Sequence, residues 1–191
     1  MLRWVLLLLL LPCWLPAGAA PVKARPLAGI GLLRLTEQSA GRGKVALYRE
    51  PGVGRVLTAT IDELPVLRES GAAGDFCYLP VTARKRGWLK IQYDEAERDA
   101  WLESRTGWQF LRWEEFLPGR QVSLLKGLRK DYYQLRREPA LTADSTGNVD
   151  KEVKLTVQQV DGDWLAVAAG GTAGWLRWRD DNGRLQIQLI H

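Results

Sequence analysis

Short apolar runs with a period of two, separated by Gly, Pro, Asp and Asn, cover most of the chain. The pattern predicts strands over residues 30–35, 45–48, 56–61, 65–67, 76–82, 88–93 and 101–102. A second series falls at 132–136, 153–160, 164–168, 175–178 and 185–190. In the last run Leu185, Ile187 and Leu189 face one way, with Gln186 and Gln188 opposite. Asp161-Gly162 and Asn182-Gly183 are dipeptides favoured in tight hairpin turns, and Ser39-Ala40-Gly41-Arg42-Gly43 is turn-rich. Two segments depart from the strand pattern. Residues 94–101 are charged and read as a hairpin tip or a short helical turn. Trp113-Glu114-Glu115-Phe116-Leu117 reads as one helical turn before Pro118-Gly119. Strands this short and closely spaced predict an all-β fold, a sandwich or small barrel.

The first twenty residues follow another rule. Arg3 is followed by an unbroken apolar run over 4–11, with six consecutive leucines from Leu6. Pro12 and Pro16 then break any helix, and small residues follow in Ala17-Gly18-Ala19-Ala20. This is the charged start, apolar core and small-residue exit of a secretory leader. The run is shorter than the roughly 20 residues of a membrane span. The reading is a signal peptide over 1–19, cut after Ala19 so that Pro21 does not adjoin the cut. It implies export across a bacterial membrane, to the periplasm or beyond, with no integral membrane span left. An uncleaved anchor is one alternative. Lipidation at Cys13 is another, disfavoured by Pro12 where a small residue belongs.

Without the leader about 170 residues remain, enough for one ordinary domain or two small ones. An internal repeat favours two. Leu47-Tyr48-Arg49-Glu50-Pro51 recurs as Leu135-Arg136-Arg137-Glu138-Pro139. Trp88-Leu89-Lys90-Ile91 recurs as Trp164-Leu165-Ala166-Val167, and Trp101-Leu102 as Trp175-Leu176. Three landmarks in one order make chance an unlikely source. The first copy carries extra residues, chiefly around 68–86.

The stretch Asp161-Gly162-Asp163-Trp164-Leu165-Ala166-Val167, followed by Thr172-Ala173-Gly174-Trp175-Leu176, resembles the "GxWxxV…GxxGWV" signature of bacterial SH3-like domains. The first copy matches less well, because Ala100 stands where a glycine precedes the second tryptophan. The resemblance implies two degenerate SH3-like β-barrels in tandem, a divergent unit over 30–117 with an insertion, a connector over 118–131, and a second unit over 132–191. It also implies a peptide-binding groove lined by aromatics near the Leu-x-Arg-Glu-Pro landmark. Tyr48, Tyr132 and Tyr133 flank that landmark, while Trp108, Trp113 and Trp178 lie outside the repeat. These six are the candidate ligand-binding residues. Trp164 and Trp175 hold repeat positions and read as structural.

Charge and reactive residues narrow the function classes. Removing Arg3 takes the formal charge from +5 to +4, and the basic clusters are scattered among acids. No nucleic-acid partner is expected. The only histidine is His191, the last residue, so no histidine-dependent triad is held by a scaffold. No Cys–His set suits zinc, no phosphate loop is present, and no cofactor or metal is expected. Cys77 sits in an apolar run and reads as a buried, inert thiol, with an intermolecular bridge as the sharper alternative. Asp94, Glu95, Glu97 and Asp99 crowd one segment and read as a solvated turn. A carboxylate hydrolase or a weak calcium site is the rival reading there. The expectation is a non-catalytic binding module for a peptide, a peptidoglycan component or an envelope protein. The alternative is a structural or accessory envelope subunit.

Overall fold

In the computed structural model, residues 25–36, 43–71 and 74–190 are described. The leader, Cys13, residues 39–42 and His191 lie outside them.

Alternating apolar residues form antiparallel hairpins that build two sheets. The first holds β1 (Gly31–Thr36), β2 (Val45–Glu50), β3 (Val53–Ala59), β4 (Leu67–Gly71), β5 (Gly74–Lys85), β6 (Trp88–Gln92), β7 (Asp99–Glu103) and β8 (Gln109–Leu111). One helical turn, α1 (Trp113–Phe116), follows as expected. The second sheet holds β9 (Gln121–Leu124), β10 (Gln134–Arg136), β11 (Ser145–Asn148), β12 (Leu155–Asp161), β13 (Trp164–Ala169), β14 (Thr172–Arg177) and β15 (Ile187–Leu189). Each sheet curls into a half-barrel, so the chain is all-β and folds as two tandem small barrels.

The first sheet runs in the order β3-β2-β7-β6-β5-β1-β8, and the second runs β11-β10-β14-β13-β12-β9-β15. Position by position the two orders are the same, with β4, which pairs only β5, as the additional strand of the first. The repeat is in register too. Trp101 lies between Tyr48 and Lys90, as Trp175 lies between Arg136 and Ala166. Ala100 pairs Ile91 where Gly174 pairs Val167. At Gly174 a β-carbon would come to 3.0 Å from Leu135 Cβ and Thr146 Oγ1, so a side chain there would crowd β10 and β11, which would have to give by a few tenths of an ångström. In the first barrel the buried methyl of Ala100 is accommodated.

Several details differ from the sequence reading. Of the two readings for 94–101, the hairpin tip is the one found, but it is confined to the segment between β6 and β7, with Glu97 at φ +60°, and residues 99–101 belong to β7. The first strand of the second sheet, β9, lies within 118–131. Residues 130–133 are a 3-10 turn leading into β10, not a strand. Gln186 is fully buried, although alternation puts it opposite the apolar face. A strap over 25–28 covers it. The amide of Ala28 donates to Gly183 O at 2.8 Å, the amide of Leu185 donates to Pro26 O at 2.9 Å, and Arg25 hydrogen-bonds the Gln186 side chain.

Two hydrophobic clusters result. The first fills the first barrel with Leu33, Leu35, Leu47, Leu79, Leu89 and Ile91. The second fills the second barrel and extends to Ala28, Leu32 and Tyr78 of the first, through Trp113, Phe116 and Leu117. β1 is therefore apolar on both faces: Leu33 and Leu35 point into one core, and Leu32 into the other. Cys77 is a buried thiol on β5, and Arg68 donates to its sulfur at 3.4 Å.

Candidate functional site

The strand period decides which aromatics reach solvent. On β6, Leu89 and Ile91 are buried, which sends Trp88 and Lys90 to the outer face. On β7, Ala100 and Leu102 are buried and Trp101 faces out. On β2, Leu47 is buried and Tyr48 faces out, paired with Trp101. Tyr48, Trp88 and Trp101 are thus partly exposed on one face. Tyr48 meets the Trp88 ring edge-on at 5.4 Å and 88°, and the Arg55 guanidinium lies 5.8 Å from the Tyr48 ring. Lys90 is paired with Asp99 at 2.7 Å on the same face. Val53, 68% exposed, ends the adjacent strand opposite Glu50.

The six candidate residues separate into different environments. Tyr48 belongs to this face. Trp108 packs partly buried against the first core, with Arg105 stacked on it at 5.4 Å. Trp113 and Trp178 are buried, 5.1 Å apart. Their indole N–H groups donate to Ala28 O at 2.9 Å and to Gly162 O at 3.0 Å. Tyr133 is half-buried, and its hydroxyl donates to Leu125 O at 2.9 Å. Tyr132 is buried, with the Arg129 and Arg177 guanidinium groups both near its ring. Trp88 and Trp101 fell outside the candidate set. The alternation of β6 and β7 was the signal that could have found them.

A polar seam joins the barrels. The Tyr78 hydroxyl donates to Glu69 Oε2 at 2.5 Å, and Arg120 pairs with the same carboxylate while lying 4.0 Å from the Phe116 ring. Burial first, and then the hydrogen bond to Glu69, push the Tyr78 hydroxyl up to about 12. At the β6–β7 tip, Glu97 receives a two-pronged bond from Arg184 at 2.6 and 2.9 Å. That bond holds the Glu97 carboxyl below its ordinary range, against a smaller opposing effect of burial. For Asp94, burial opposes ionisation, but the side-chain and backbone hydrogen bonds from Arg98 outweigh it and the pKa is lowered. Both directions are opposite to that of a general acid, which needs a raised value. Among the described residues no group of three or more His, Cys, Asp or Glu side chains is placed to hold a metal ion.

The Glu97–Arg184 bond has a pH signature. With its folded pKa below the ordinary 4.5, Glu97 contributes stability that is fully present above that value. The contribution is lost as pH falls through the lowered folded value. Glu97→Gln is expected to flatten the acid limb of the melting temperature between about pH 5 and pH 3. Parallel melts of parent and variant across that range check it.

No protein-family model matches the chain, and no curated protein matches it. Among solved structures, that of NlpC1 from Trichomonas vaginalis is similar at 13% identity and a TM-score of 0.31, over 93% of this chain and 50% of that one. This chain spans half the length of that protein. A likeness this slight assigns neither a family nor a function.

Proposed function

We propose that the chain is an exported bacterial SH3-like protein that works by binding, not catalysis. Its ligand is a peptide, a peptidoglycan component or an envelope protein, held on the outer face of β2, β7 and β6. The observation that carries this reading is the cluster of Tyr48, Trp88 and Trp101, whose partly exposed rings lie together on one outer face of adjacent strands. Large rigid rings offer much contact area for little lost entropy, and such residues dominate binding hot spots. Arg55, Lys90 and Asp99 supply a polar rim. The matched strand order of the two sheets and the Trp-Leu pairs in register support the SH3-like reading.

The test is co-sedimentation with purified sacculi, together with capture of a defined envelope partner. Trp88→Ala with Trp101→Ala is expected to weaken retention at least tenfold, since hot-spot side chains contribute about 2 kcal/mol or more. Unchanged retention on these substitutions would move the site elsewhere. No retention of the parent in either assay would favour the structural-subunit reading, which draws on the aromatic packing around Trp113 and Trp178.

A further inference from the structure

A second feature stands apart from the aromatic face. A cleft of about 260 Å³ opens in the second barrel between the segment before β10 and the turn before β15. Arg25, Leu128, Arg129, Tyr132, Asp181 and Asn182 line it. It is smaller than the roughly 300–1,000 Å³ of sites for drug-sized ligands, so its occupant is small.

Tyr132 makes the cleft more than a surface dent. The residue is only 4% exposed, with the Arg129 guanidinium 5.3 Å and the Arg177 guanidinium 5.9 Å from its ring centre. Its hydroxyl has no hydrogen-bond partner within the protein, yet no side-chain polar atom among the described residues is buried without one. The hydroxyl therefore keeps contact with solvent, and Tyr132 is one of the residues that line the cleft. A hydroxyl on an otherwise buried ring, fixed in direction and left open, is a preset hydrogen-bond donor.

The charges around it come in both signs. Arg129 is paired with Asp131 at 3.0 Å, but its side chain is 69% exposed, so the pair is open to water. Asp181 carries the opposite charge, and its side chain is 79% exposed although Arg177 holds one oxygen. Asp180 is committed to the fold, accepting from Arg25 and from the amides of Asn182 and Arg184. A single anion would meet Asp181, and a single cation would meet Arg129 and Arg25. A small group carrying both charges satisfies both sides.

We propose that this cleft binds an amino-acid-sized zwitterion, its carboxylate on the Tyr132 hydroxyl and Arg129, and its ammonium on Asp181. The exposed Arg129–Asp131 pair exchanges partners at little cost, while Asp181 keeps one oxygen on the buried Arg177 and offers the other to the ligand. Charge-assisted hydrogen bonds to a fixed hydroxyl and a guanidinium supply the selectivity.

Calorimetric titration of the purified protein with alanine tests this, with N-acetylalanine and alaninamide as probes that each lack one charge. Saturable binding of alanine is expected, at least tenfold weaker for either blocked form. Tyr132→Phe removes only a hydroxyl with no internal partner, so it should melt like the parent and bind alanine at least tenfold more weakly. Arg129→Ala, at an exposed position, should weaken binding similarly. Trp88→Ala should leave alanine binding unchanged, which separates this site from the aromatic face. No saturable heat with alanine, equal binding of the blocked forms, or full affinity in both Tyr132→Phe and Arg129→Ala would overturn the proposal.

Discussion

Replacing Trp178 with alanine is expected to cost about 3–5 kcal/mol of folding stability. The side chain is 1% exposed and sits where the two barrels share a core. Its ring packs against Trp113, which in turn packs against Phe116 at 5.9 Å. Truncation leaves a cavity along this row and takes away the indole donor of Gly162 O. For a chain of this size the melting temperature should fall by about 6–20 °C. Circular dichroism melts and urea unfolding measure it. Trp178→Phe should lose less, and it serves where the alanine variant does not fold. Trp88→Ala, at a partly exposed ring, should cost much less than Trp178→Ala. Equal losses at the two positions would contradict the assignment of one ring to the core and the other to the surface.

Gly29→Ala is the second large effect. Gly29 has φ +63° and joins the strap to β1. A β-carbon there would stand 2.2 Å from Val81 O, a backbone atom of β5 that already accepts from the Ile30 amide at 2.7 Å. No side-chain rotation relieves that clash, so strap or strand must move. The strain of the left-handed backbone adds to it. The expected loss is about 3 kcal/mol or more. Faster amide hydrogen exchange at Ala28 and Leu185, which bond across the strap, should accompany it. A variant with parental stability and unchanged exchange at those amides would show that the strap is not fixed through Gly29.

Much of the fold was legible because the strands that build the cores alternate. β2, β6, β12 and β13 carry buried residues at every second place, or nearly so, and were readable on that basis. The Trp-Leu pairs marked equivalent strands because the duplicated barrels keep the same register. β8 and β11 escaped detection for the opposite reason. They are edge strands of three and four residues, too short to show a period, and Ser145–Asn148 offers no apolar side chain. β9 was hidden because Val122, Ser123 and Leu124 are all buried, which erases alternation. The burial of Trp113, Trp178 and Gln186 depends on segments remote in sequence, and local pattern carries no trace of them. Tyr132 was found as an aromatic beside a repeat landmark, but the open hydroxyl and the flanking guanidinium groups exist only in three dimensions.

The strap also sets an order of assembly. Arg184 donates to Arg25 O at 2.6 Å across 159 positions of sequence. Hairpins such as β6–β7 and β13–β14 join neighbouring residues and can form soon after they are made. The strap must wait for the last hairpin, and closing so long a loop is slow unless the intervening barrels have already shortened it. During synthesis the Gln186 side chain stays unshielded by the strap until residues 183–186 have been made and folded, so shorter chains leave residues 25–28 without their partners. Joining residue 190 to residue 25 through a linker and opening the chain at 104–107 would make this contact local. That permutant should fold faster than the parent while keeping the same two cores.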